Sequence, residues 1–153
     1  MIQLRTMSYL LHPPLLDEVG LLSALDWYIE GFSQRSGIKV ALQMSKKFGR
    51  LPNDMEIAIF RVIQECLTNI HRHSGSLTAD ILLSRTSEAV TLEVIDHGTG
   101  IAPHRLNAGK VIDGIGMMGI KERIRQFGGA VVISSSAKGT KIIATLSLKT
   151  PAS

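Results

Sequence analysis

Asn53-Asp54-Met55-Glu56-Ile57-Ala58-Ile59-Phe60-Arg61-Val62-Ile63-Gln64-Glu65-Cys66-Leu67-Thr68-Asn69-Ile70-His71-Arg72-His73 is the stretch on which the fold turns. Ile59, Ile63, Leu67 and Ile70 fall within one sector of a helical wheel. Glu65, Asn69, Arg72 and His73 form a separate polar stripe beside it. The spacing predicts one helix over about 53–73 that packs by one side and presents chemistry on another. Asn53 with Glu56 three residues later, after Pro52, is a capping-box signature for its start. Ser74-Gly75-Ser76 ends it.

Before this helix, Ile38 to Met44 alternates as a strand. A helix ending at Ser36 is predicted ahead of that strand, starting at about Asp17 or Leu21. It carries Leu22, Leu25, Ile29 and Phe32 on one stripe and Gly37 as its stop. Leu4, Met7, Leu10 and Leu11 have helical spacing, which His12-Pro13-Pro14 interrupts. After the central helix, Leu77–Ser84 and Val90–Asp96 read as an antiparallel hairpin. From His97 to Met118 no period survives, and a loop of that length inside a compact domain is usually functional or mobile. A short helix from about Gly119 to Phe127 is closed by Gly128-Gly129. Strands at Ala130–Ser135 and Thr140–Leu148 come next, the last with Ile142, Ala144, Leu146 and Leu148 on one face. Strands in runs with a few helices imply an α+β, two-layer sandwich: one sheet covered mainly on one side.

The 153 residues suit a single domain with a short extra element at one end. With 44% hydrophobic and 20% charged residues, a core can be buried and wholesale disorder is excluded. No apolar run approaches the ~20 residues of a membrane helix, and the first residues lack the pattern of a secretory signal. The single cysteine, Cys66, excludes an internal disulfide and a cysteine-based zinc site, and fits a reducing compartment. A net charge of +4 invites a nucleic-acid reading, but the basic residues are scattered and aromatics make up only 5%.

Four groups could carry chemistry. Glu65 and Asn69 lie one helical turn apart: a carboxylate can polarise a nucleophile while an amide oxygen completes a magnesium shell. The bland alternative is a solvated face held by local pairs. Asp96-His97-Gly98-Thr99-Gly100 ends a strand, where a fixed Asp can accept from an amino group such as a purine's exocyclic amine; an ordinary Asp-Gly turn is the alternative. Gly114-Ile115-Gly116-Met117-Met118-Gly119 opens the short helix and could cradle phosphate. It follows no strand and sits in no βαβ unit, which argues against a dinucleotide site, and no P-loop triplet occurs. Gly139-Thr140 enters the last strand, where the Thr hydroxyl either supports the Asp through a water or simply favours β structure. His71 and His73 have the wrong spacing to share a metal. Cys66 is expected to be a buried small residue, and Trp27 and Tyr28 to pack the N-terminal helix.

These pieces occur in an order that resembles a known family. Gln64-Glu65-Cys66-Leu67-Thr68-Asn69-Ile70-His71-Arg72-His73-Ser74 resembles the N box of sensor histidine kinases. Asp96 to Gly100 is similar to their first glycine box. Gly114 to Gly119, continued by Ile120-Lys121-Glu122-Arg123-Ile124, is similar to their second. The resemblance covers roughly Leu51 to Leu148. It implies a Bergerat-type ATP-binding fold, a mixed sheet with helices on one face and a flexible ATP lid at about His97 to Met118. It implies ATP and Mg2+ as cofactors, with Glu65 as the catalytic acidic residue that polarises the attacking group and Asn69 as the magnesium ligand. Asp96 would read adenine, with Gly98, Gly100 and Ile101 shaping that pocket and Thr140 on the adenine side. Arg72, His73, Gly114, Gly116, Met117 and Gly119 would lie near the phosphates.

Leu11-His12-Pro13-Pro14-Leu15-Leu16, followed by Gly20-Leu21, resembles the end of the family's dimerisation and phosphoacceptor region. The division implied is a helical segment over 1–36 and an ATP-binding catalytic domain over 37–150. None of the five His is followed by the acidic residue that marks an acceptor, so the acceptor histidine lies outside this chain. The resemblance implies ATP-dependent transfer of the γ-phosphoryl to that histidine. Partners would be the acceptor helix of the parent kinase and a response regulator, within a homodimer, without nucleic acid, on the cytoplasmic side. A protein-serine kinase of the anti-sigma type is the alternative on the same fold, and a basic binding module without turnover is the alternative from another class.

Overall fold

The computed structural model describes residues 20–45, 47–98 and 115–148, with the side chains of 115–118 excepted. Helix α1 spans Leu21–Ser36. Its stop is the one predicted: Gly37 is left-handed (φ 77°) and its N–H donates to the Ser33 carbonyl. Strand β1, Lys39–Met44, leads to helix α2, Asn53–Asn69, whose last turn widens into a π-turn over Ile70–Ser74. Strands β2 (Thr78–Arg85) and β3 (Ala89–Asp96) come after it. Helix α3, Ile115–Gln126, precedes β4 (Ala130–Ser136) and β5 (Gly139–Ser147).

The five strands form one sheet in the order β1-β2-β3-β5-β4. β1 and β2 are parallel, joined by α2 as crossover; the remaining neighbours are antiparallel. Alternation fixes the faces: Ile81, Leu83, Val90, Leu92, Val94, Ala144 and Leu146 are buried toward the helices. The α2 sector anticipated from the wheel is the centre of this core, with Ile59, Ile63 and Leu67 fully buried and Ile70 nearly so. Leu21, Leu25, Ile29 and Phe32 of α1 and Ile120 and Ile124 of α3 join the same cluster. α3 ends as expected in Gly128-Gly129: Gly128 is left-handed (φ 65°), its N–H meets the Arg125 carbonyl, and the Gly129 N–H meets the Ile124 carbonyl.

Four expectations need correction. The capping box at Asn53 does not form: Pro52 precedes the helix and no side chain caps it. Glu56, fully buried, instead reaches back to accept from Arg50 Nε and Nη2 (3.2 and 3.0 Å) and the Leu51 N–H (3.3 Å). A tertiary ion pair has replaced the local motif, so Glu56→Ala leaves a buried N–H without an acceptor and frees the 48–52 loop. We expect a loss of about 2 kcal/mol, read by urea unfolding, with Glu56→Gln losing less; an Ala variant as stable as the parent would contradict this.

The second correction is the π-turn, which the regular wheel does not foresee. The third concerns α3, which begins at Ile115 rather than Gly119, so Gly116, Met117 and Gly119 lie within its helical backbone. Two glycines cost about 1 kcal/mol each in a helix, which the buried anchors Ile120 and Ile124 offset. The fourth is Trp27, which stands 42% exposed while its neighbour Tyr28 is buried. The predicted N-terminal run at Leu4–Leu11, the His12-Pro13-Pro14 stop, most of the expected lid, and Gly100, Ile101 and Gly114 lie outside the described residues.

Candidate nucleotide site

Asp96 is the last residue of β3 and is buried, polar as its side chain is. Two backbone donors account for that: the Gly98 N–H (3.0 Å) and the Thr140 N–H (3.3 Å) both meet its Oδ1. Oδ2 has no partner among the described residues, so one carboxylate oxygen is held in place and the other is open to a donor. Thr140 therefore supports the Asp through its main chain; its hydroxyl shares a hydrogen bond with Ser135 Oγ (3.2 Å) on the neighbouring strand. The clamp needs a close approach of two strand ends. Gly139 provides it with φ 141° and a Cα hydrogen where a methyl would lie 2.0 Å from the Asp96 carbonyl oxygen.

The segment after Asp96 is seamed to the end of α2. A methyl on Gly98 would lie 2.0 Å from the Ser74 carbonyl oxygen, so the two backbones touch. The His97 N–H donates to Ser76 Oγ (3.0 Å), the Ser76 N–H to Ser74 Oγ (3.0 Å), and the Ser74 hydroxyl to the Ile70 carbonyl (2.8 Å). Ser74 and Ser76 are both buried. Sequence reasoning reads these serines only as a helix end; their small-polar alternation around Gly75 is the one available signal. The relay fixes the strand-end acid relative to the π-turn, and Asn69 lies five residues before Ser74, about 7 Å along a helix axis.

Glu65 and Asn69 are half-buried on the same side of α2, and Arg72 and His73 are exposed on the π-turn. A cleft of about 260 Å³ opens at the sheet's end. Among its walls are Asp96, Thr140 and Ser135, in register toward the helices, and His97 and Lys141. It takes in no residue of α2, so the link from Glu65 and Asn69 to Asp96 among the described residues is the serine relay and the backbone contact at Gly98. A methyl on Gly119 would meet no described atom within 4 Å, so that glycine is not demanded by packing. His97 pairs with Asp80 across the strands (2.9 Å) on the outward face. His71 packs edge-on against Phe32 at 6.2 Å rather than facing a ligand. Burial pushes the Cys66 thiol up to about 12, with the Glu65 charge adding to the effect, so it is an inert core group.

A mixed sheet with three helices on one face and a backbone-clamped acid at a strand end has the architecture of a two-layer ATPase domain. The chain belongs to the family of histidine kinase-, DNA gyrase B-, and HSP90-like ATPases, whose model matches residues 54–150. It is 32% identical over 151 residues to the sensor histidine kinase NarS of Mycobacterium tuberculosis, covering 96% of this chain and 34% of that protein. It is 30% identical over 149 residues to the signal transduction histidine-protein kinase/phosphatase DegS of Brevibacillus brevis, covering 97% of this chain and 38% of that one. The chain thus spans about a third of the length of the curated relatives it matches. Among solved structures it superposes on the histidine kinase domain of the blue-light activated histidine kinase of Erythrobacter litoralis with TM-score 0.70 at 20% identity. That match covers 82% of this chain and 64% of the other. The histidine kinase AdeS of Acinetobacter baumannii gives TM-score 0.68 at 16% identity, over 85% and 64% of the two chains. No helix among the described residues is long and apolar enough to cross a membrane.

Proposed function

We propose that this chain is the ATP-binding catalytic part of a two-component sensor histidine kinase, passing the γ-phosphoryl of ATP to a histidine that lies outside it. The observation that carries the reading is Asp96, held by two backbone N–H groups through one oxygen while the other is open to accept from adenine's amine. The family match and the relatives' names as histidine kinases support it. In this reading the segment 1–36 is the C-terminal end of a dimerisation and phosphoacceptor region, and 37–150 is the catalytic domain. The full protein is a homodimer that works with a response regulator on the cytoplasmic side.

Phosphoryl transfer asks the protein for positioning and charge neutralisation. Asp96 and Thr140 fix the adenine end. Gly98 lets the strand end meet the π-turn, Gly119 leaves room close to the backbone, and Arg72 and His73 stand on the π-turn to meet phosphate charge. Glu65 aligns the acceptor imidazole and takes its proton in the transition state. Asn69 offers an amide oxygen, a hard donor suited to magnesium. No three His, Cys, Asp or Glu side chains gather as a metal nest among the described residues. Magnesium, when bound, neutralises charge on the phosphate oxygens.

The test mixes this chain with γ-labelled ATP, magnesium and a polypeptide carrying the parent's acceptor helix. Acid-labile, base-stable label on the acceptor is the expected result. Label that survives acid, on a serine, would favour the serine-kinase alternative instead. In the same assay Asn69→Ala should bind ATP without magnesium as the parent does, lose the magnesium-dependent gain in affinity, and transfer about a hundredfold more slowly. A full magnesium response in this variant would remove Asn69 from the metal site.

A further inference from the structure

Of the three consecutive serines that end β4, the middle one points a different way from its neighbours. The strand alternates, turning Val131, Ile133 and then Ser135 toward the helices while Ser134 and Ser136 face outward. An aliphatic side chain at 135 would continue the apolar row. A hydroxyl stands there instead, and it meets the hydroxyl of Thr140, its register partner on β5, at 3.2 Å. The tight turn between the strands keeps the two opposite each other, with the Lys138 N–H on Ser136 Oγ (3.1 Å). Ser135, Thr140 and Asp96 line the same cleft at the sheet's end, and the Thr140 N–H is already on Asp96 Oδ1 (3.3 Å). The hydroxyl pair therefore stands beside the carboxylate whose second oxygen is open to a ligand.

A hydroxyl can donate or accept as it rotates, so Thr140 alone would not choose between ligands. The two purine bases differ in this respect. Adenine presents an amine, a donor, next to ring N1, an acceptor. Guanine presents the reverse, a carbonyl oxygen next to an N1–H. Asp96 Oδ2 can meet only the amine. We propose that Ser135 is a positioning residue for base selection: it donates to Thr140 Oγ1, which sends the Thr140 proton into the cleft toward adenine N1. This rests on the reading of the cleft as the adenine pocket. Asp96 and Thr140 then offer acceptor and donor side by side, the complement of adenine and the mismatch of guanine.

The experiment measures the affinity of the parent chain, Ser135→Ala, Thr140→Val and the Ser135→Ala/Thr140→Val pair for ATP, GTP and 1-deaza-ATP, in which a C–H replaces N1. Thermal melts are recorded beside them. The parent should prefer ATP to GTP and bind 1-deaza-ATP about fivefold more weakly than ATP. Ser135→Ala should lose about fivefold in ATP affinity, keep its affinity for GTP, and bind ATP and 1-deaza-ATP within about twofold of each other. Added to Thr140→Val it should cost nothing further. If the parent binds ATP and GTP equally, the adenine reading itself fails. If the parent prefers ATP while Ser135→Ala keeps both the preference and the 1-deaza penalty, the role of Ser135 is overturned and the adenine reading stands. An equal loss of ATP and GTP affinity in Ser135→Ala, or a loss that tracks a lowered melting temperature, overturns that role too.

Discussion

Asp96→Asn should weaken ATP binding by about two orders of magnitude while leaving the protein folded. The two halves of that expectation come from the two oxygens. Oδ1 accepts the Gly98 and Thr140 N–H groups, and an asparagine can keep its carbonyl oxygen there. The amide nitrogen then replaces Oδ2, so the acceptor proposed for adenine's amine becomes a donor facing a donor. Losing a charge-assisted hydrogen bond and leaving the ligand's amine unpaired costs about 3 kcal/mol, which is the hundredfold. Asp96→Ala makes the contrast: it orphans both N–H groups and should lower stability by about 2 kcal/mol. Calorimetric titration with ATP, beside thermal melts of both variants, reads the two effects separately. Parent-like affinity in the Asn variant would take adenine recognition away from Asp96.

The second large effect is structural in origin and functional in outcome. Gly139→Ala places a methyl 2.0 Å from the Asp96 carbonyl oxygen and 3.1 Å from the His97 Cα, at a φ of 141° that side chains rarely adopt. Neither obstacle is the far end of a flexible side chain, so β3 and β5 must separate where they meet. The adjacent Thr140 N–H is one of the two donors on Asp96, and the clamp opens with them. We expect a loss of about 3 kcal/mol or more, seen as a fall of roughly 10 °C in melting temperature, together with weakened ATP binding. A melt within about 2–3 °C of the parent would mean that the strand ends yield without strain.

Much of this architecture can be read from period alone. α1, with its stop at Gly37, the β2–β3 hairpin, the α2 core sector and the Gly128-Gly129 closure all come from spacing and glycine placement, because each is decided within a few residues. The features that escape depend on groups far apart in the chain. Glu56 has the pattern of a local cap, yet its buried carboxylate pairs with Arg50 of the preceding loop, so tertiary pairing wins over the motif. The helical wheel advances by a fixed angle and cannot show the π-turn, whose end is tied to β3 by the serine relay. Thr140 draws attention in the sequence for its hydroxyl, but the atom that reaches Asp96 is its main-chain nitrogen, which any residue but proline carries with its hydrogen. The order of the boxes is legible; the hydrogen bonds that connect them are not.

The π-turn at Ile70–Ser74 makes chain length a variable of its own here. One extra residue in a helix rotates every later residue by about 100°. The amide of Asn69 and the seam at Ser74 thus keep their relative aim only while that residue is counted in. Dropping a single codon anywhere in those five would let the helix wind evenly. It would also swing its tip away from β3, unhitching the helix end that carries Asn69 from the strand end that carries Asp96 with neither of those side chains altered.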